Sequence, residues 1–116
     1  MDIEAIREYC LKKSAVTEGF PFDEDTLVFK VEGKIFALLN LKRPNSINLK
    51  CDPEEALRLR ELHKEVVPGY HMNKKHWNTV HLLGTLKIQL LLQMIDNSYG
   101  LVVHGLPKKI RDKIEL

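Results

Sequence analysis

Between Gly69 and Leu82 the chain reads GYHMNKKHWNTVHL, which places three histidines, two adjacent lysines and the only tryptophan in fourteen positions. Histidines can bind a metal or move protons near neutral pH. His71, His76 and His81 recur every five residues, however, a spacing that fits neither one helix face nor one side of a strand. No cysteine or carboxylate lies close by in sequence to complete a tetrahedral set, so no metal site is expected. The lysines point to different chemistry. Lys74 and Lys75 at a turn would present two ammonium groups to an anionic polymer, with Trp77 offering a flat ring and Asn73 and Asn78 hydrogen-bonding amides.

Other reactive residues offer less. The chain has no GxSxG elbow, HExxH, phosphate loop or GxGxxG. A non-enzymatic protein without a cofactor is therefore the expectation. Asp23-Glu24-Asp25 reads as a solvated loop, because three adjacent charges repel one another when buried. Cys10 and Cys51 are far apart and form no CxxC pair, so both are expected as reduced thiols on apolar faces.

The elements that position these residues follow from periodicity. Asp2 can cap a first helix with Ile3, Ile6 and Cys10 on one face and Lys12-Lys13 as a charged, dipole-compatible end. Thr26–Val31 alternates Leu27, Phe29 and Val31 inward. Glu32-Gly33 turns it into Lys34–Leu41, where Ile35, Ala37, Leu39 and Leu41 share a side. A third strand, Ser46–Cys51, follows the basic turn Lys42-Arg43-Pro44-Asn45 and adds Lys50 and Asn48 on a polar face. A short strand before Pro21 would sit at a sheet edge.

Asp52-Pro53-Glu54-Glu55 starts a second helix, with Asp52 as cap, Pro53 in the first turn and Glu55 able to close a capping box. Ala56, Leu59, Leu62 and Val66 form its apolar stripe, with Pro68-Gly69 ending it. His63 falls at its boundary. Two short strands flank Asn73-Lys74-Lys75, with Val80 and Leu82 tied to the core. A third helix runs from Thr85 to about Val103 with Ile88, Leu91, Leu92, Ile95, Tyr99 and Val102 inward. Pro107 opens a last short helix carrying Ile110 and Ile114.

The result is a single α+β domain over residues 1–116: an antiparallel sheet of about five strands, covered on one face by helices in α-β(3)-α-β(2)-α order. Its 116 residues are 44% hydrophobic and 29% charged, in the globular range. The net charge of +2 divides into −1 over residues 1–60 and +3 over 61–116, a mild basic bias in the second half. The N-terminus opens on acidic residues instead of a secretory signal, and no apolar run is long enough for a bilayer. A cytoplasmic monomer with no membrane partner is expected.

Four blocks carry a resemblance: FPFDEDTLVFKVEGKIFALL, NLKCDPEEALRLRE, PGYHMNKKHWNTV and NSYGLVVHGLPKK. In this order they resemble the signature blocks of the MmcQ/YjbR family of small bacterial proteins, from Phe20 to Lys109. The resemblance implies a two-layer CyaY-like fold, also comparable with secretion chaperones, and DNA binding through strand-loop wings bearing basic residues. It points to His71, Asn73, Lys74, His76 and Trp77, with Lys42 and Arg43 as the second turn, and to no catalytic residues. Gly84-Thr85-Leu86-Lys87 departs from it in being less acidic.

Two functions follow as expectations. One is a DNA-binding protein using Lys42, Arg43, Lys50, Asn73, Lys74, Lys75, His76, Trp77 and Asn78 against double-stranded DNA. The other is a protein-interaction or chaperone-like adaptor with an apolar patch on the open sheet or a helix. A small-ligand pocket near His71, His76 and Trp77 is a third reading. Burial of Trp77 would mark the block as a structural brace, and exposure would mark it as a contact surface.

Overall fold

The computed structural model describes residues 2–42, 45–70 and 72–114, so Arg43 and His71 lie outside the described residues. Four helices and six strands follow in the order α1 (Ile3–Leu11), β1 (Val16–Gly19), β2 (Thr26–Val31), β3 (Lys34–Asn40), β4 (Ser46–Lys50), α2 (Pro53–Leu62), β5 (Val66–Pro68), β6 (Trp77–His81), α3 (Ile88–His104) and α4 (Lys108–Arg111). The strands form one antiparallel sheet in the order β1-β2-β3-β4-β6-β5. The two-layer α+β architecture is the one expected. The sixth strand is β1, at the sheet edge as its position before Pro21 required.

The core is legible as a row across the sheet. Leu27, Leu39, Ile47, Val80 and Val66 lie in register on neighbouring strands. All five are buried with Ile95, Tyr99 and Val103 of α3 and Ile6 and Cys10 of α1. Each fully buried aliphatic side chain there contributes about 1.5–3 kcal/mol relative to exposure. The opposite face has the row Gly19, Val28, Leu38, Asn48, Thr79 and Val67.

Several local expectations hold. Asp2 accepts from the Ala5 amide at 2.8 Å and caps α1. Glu32 and Gly33 both have positive φ, 48° and 78°, the backbone that a two-residue hairpin turn needs. Cys10 is buried, Cys51 is half-buried, and both are free thiols. Burial pushes the Cys10 thiol up to about 12 and the Cys51 thiol up to about 11.

Others need correction. The α2 stripe was extended through Val66, but α2 stops at Leu62, which is 60% exposed, and Val66 pairs in β5. The capping box does not close, because Glu55 pairs with Arg58 instead of reaching back to Asp52. α3 begins at Ile88, three residues later than expected, and Ile88 is exposed. Ile35 does not share the side of Ala37 and Leu39. Phe29 pairs with Ala37 but Lys30 pairs with Ile35, so Phe36 is an extra, bulged residue that reverses the alternation. Phe36 is fully buried and meets the Tyr99 ring edge-on at 5.3 Å, which accounts for the bulge.

Lys13, expected on a charged surface, is instead largely covered. Its Nζ donates to Asp96 at 2.5 Å and lies 5.0 Å and 5.2 Å from the Tyr9 and Tyr99 ring centres. This arrangement bolts α1 onto α3.

Candidate nucleic-acid interface

The loop from Gly69 to His76 is held by short-range bonds and by an arginine from α2. The Asn73 side-chain oxygen accepts from the Lys75 amide at 2.9 Å, and the Asn73 carbonyl accepts from the Trp77 amide at 3.0 Å. Arg60 reaches across from α2. Its Nε donates to Asn78 Oδ1 at 2.7 Å, and its terminal nitrogen donates to the carbonyls of Trp77, at 3.3 Å, and Lys74. Gly69 is required by close approach: a Cβ there would stand 2.9 Å from Trp77 Cβ and 3.0 Å from the Trp77 carbonyl. Gly69 therefore admits the hairpin by letting the backbone pass close against Trp77.

These bonds sort the nominated residues. Asn78 is 2% exposed, faces the helices and donates to the Ala56 carbonyl at 3.4 Å. It is a buried brace instead of a contact group, because residue 78 shares the side of Val80. Asn73 is exposed but its oxygen is spent on the turn. The Lys74 ammonium folds back to the Gly69 carbonyl at 3.0 Å. Lys75 remains exposed at the turn. Lys42, across the sheet, is exposed and pairs loosely with Asp25 at 3.3 Å. Trp77 and His76 are half-buried. The structure thus makes Trp77 part brace and part surface, opposite Lys50 in the register.

The helix-free sheet face gathers residues from distant parts of the chain. Among its strand positions the charged residues are Lys30 and Lys50. Glu18 lies on the other side, where it pairs with Arg7 of α1 at 2.6 Å. That pairing holds the Glu18 carboxyl below its ordinary value. A groove of about 420 Å³ opens on this face, floored by Thr26, Leu38, Asn40, Ser46 and Asn48. Its walls are Phe22 and Asp23 from the β1–β2 loop, with Tyr70 and Met72 from the β5–β6 loop. Phe22 is 65% exposed and Tyr70 56%. A second cavity of about 320 Å³ adjoins it through Val28, edged by Phe20 and Lys30.

Asp23 brings a negative charge to the wall of this groove. Its carboxylate accepts from the Asp25 and Thr26 amides at 2.9 Å and 2.7 Å, and these bonds hold it below its ordinary value. The Asn48 side-chain oxygen accepts from Thr79, whose hydroxyl accepts from the Tyr70 amide at 3.0 Å. The floor and the wall are thereby one hydrogen-bonded unit.

A small-ligand pocket was expected near His71, His76 and Trp77. The groove is walled by Tyr70 and Met72, the described neighbours of His71, with Phe22 opposite, and its described lining includes neither His76 nor Trp77. The signal was present in the FPF and PGYHM strings, whose aromatic residues stand outside the core periodicity of any element. Among the described residues no group of three His, Cys, Asp or Glu side chains converges on a metal-sized site. Among them, too, no helix is long and apolar enough to cross a membrane.

The fold and groove define a small α+β domain with one helix-covered and one open sheet face. The chain belongs to the YjbR family, whose model matches residues 11–101. It is 38% identical over 112 residues to the uncharacterised protein YbdF of Escherichia coli O157:H7, covering 96% of this chain and 92% of that one. To the uncharacterised protein YjbR of Escherichia coli K12 it is 34% identical over 112 residues, covering 96% and 95%. The crystal structure of Deinococcus radiodurans protein DR2400 superposes with a TM-score of 0.90 at 40% identity, covering 96% of this chain and 86% of that one.

Proposed function

We propose that this protein binds nucleic acid through the open sheet face and the basic turns at its margins. The observation that carries the reading is the charge of that face. Its charged strand residues, Lys30 and Lys50, are both cationic, with the Asp23 carboxylate on the wall of the groove between; the exposed Phe20 lines a cavity with Lys30, and the half-buried Trp77 lies opposite Lys50. Ammonium groups supply sequence-independent affinity for phosphates, and aromatic or amide groups contact bases and sugars. Lys42 and Lys75 extend the cationic set to the two turns that the family resemblance singled out. Lys74 and Asn78 support the loop and are not counted as contacts.

The test is affinity against salt. Four phosphate contacts, by Lys30, Lys42, Lys50 and Lys75, give a slope of log K on log salt of roughly −3.6 for duplex and about −2.8 for single strands. The double variant Lys30→Gln/Lys50→Gln should roughly halve that slope. Undetectable binding, or binding indifferent to salt, would sink the reading.

The exposure of Phe20 and Phe22, 51% and 65%, favours a second reading, an adaptor that docks a partner protein on the same face. Recovery of one stoichiometric protein from native lysate, lost on Phe20→Ser/Phe22→Ser, would support it. Recovery of nucleic acid alone would count against it.

A further inference from the structure

We infer that the groove between Phe22 and Tyr70 is a seat for an unpaired nucleobase, so that the preferred ligand is a single strand. This rests on the nucleic-acid reading and narrows it. The groove is within the range of about 300–1,000 Å³ typical of small-molecule sites, and two exposed aromatic rings wall it. A base inside a duplex has its faces stacked and its pairing edge occupied. An aromatic-walled groove suits a base whose faces are bare.

The floor presents donors. The Asn40 oxygen accepts from the Lys42 amide at 3.0 Å and the Asn48 oxygen accepts from Thr79, which turns both amide nitrogens away from those bonds. Neither nitrogen has an acceptor among the described residues. Two such donors match ring carbonyl oxygens, which thymine, uracil, cytosine and guanine carry and adenine lacks. The adjoining cavity beside Phe20 gives room for a neighbouring nucleotide, with Lys30 on its lining for the backbone.

The experiment compares oligothymidylate, oligoadenylate and the duplex of the two, each of about 20 nucleotides, longer than the roughly 4–16-nucleotide sites of such surfaces. Affinities are read by anisotropy of labelled strands for the wild type, Phe22→Ala, Tyr70→Ala and Lys30→Gln/Lys50→Gln. Both aromatic side chains are exposed, so thermal melts should show all these variants folded.

The expected result is tightest binding of oligothymidylate, with each aromatic variant losing roughly fivefold or more on it and nothing on the duplex. Equal or tighter duplex binding, with Phe22→Ala and Tyr70→Ala silent, would overturn the base seat and leave the nucleic-acid reading standing. Failure to bind any of the three, or binding indifferent to Lys30→Gln/Lys50→Gln, would overturn both.

Discussion

Arg60 and Arg58 lie two positions apart on one helix and do unlike work. Arg58 makes an exposed pair with Glu55. Arg60 is half-buried and donates to the side chain of Asn78 and to the carbonyls of Lys74 in the β5–β6 loop and of Trp77 at the start of β6. Hydrogen bonds from a charged donor to partners shielded from water are worth more than a solvated ion pair, because water cannot replace them without opening the loop. Arg60→Ala should therefore cost about 2 kcal/mol in urea unfolding, whereas Arg58→Ala should fall within about 0.5 kcal/mol of the wild type. Trp77 fluorescence should shift only in the Arg60 variant, since its carbonyl is one of the groups released. Equal losses for the two would show that Arg60 is an ordinary surface charge. Nothing in the local sequence distinguishes the two arginines. Both follow the same helical rhythm, and only the strand that returns 18 residues later gives one of them a partner.

At the scale of elements, a carboxylate from the α2–β5 connection ties down the connection from β6 to α3 at Thr85. Glu65 is buried and accepts from the Thr85 amide at 3.0 Å and from the Thr85 hydroxyl at 3.2 Å. A Cβ at Gly84 would come within 2.8 Å of this side chain. Backbone amides, first that of Glu65 itself and then that of Thr85, hold the carboxyl below its ordinary value of 4.5. The unfolded chain thus binds the proton more readily, so stability rises with pH across this titration. The contribution is complete above about pH 5 and fades as pH falls through the lowered folded value. Glu65→Gln should be less stable than wild type at pH 7, with the gap closing towards pH 3. A gap that persists unchanged in acid would assign the effect to shape instead of charge. The same segment explains two boundary misreadings. An apolar stripe spaced as a helix includes Val66, and Thr85 stands where the third helix is expected to start. Both are taken by tertiary partners instead, Val66 by the sheet and Thr85 by Glu65.

At the scale of the molecule, the sheet's two faces obey different rules, and this decides what was legible. The helix-covered face was readable because burial imposes period-2 alternation. Leu27, Phe29, Ala37, Leu39, Ile47, Leu49 and Val80 all fall where that pattern put them. The open face was not, because its groove is assembled from Phe22, Leu38, Asn48 and Tyr70, residues from four separate segments whose meeting depends on strand order. Adjacent residues on β3 offer a direct comparison. Leu39 is fully buried between sheet and helices, and Leu38, 6% exposed, floors the groove. Leu39→Ala leaves a closed cavity and should cost about 2–5 kcal/mol. Leu38→Ala removes the same atoms from a site that water can enter from above, so the cavity part of the penalty falls away. A loss of about 1–2 kcal/mol is expected from the transfer of side-chain surface alone. Denaturant melts of the two variants measure the difference. If Leu38→Ala proved as costly as Leu39→Ala, the loops bearing Phe22 and Tyr70 would have to close over the groove as tightly as the helices close over the core. The open face would then be a second core and not a surface for binding.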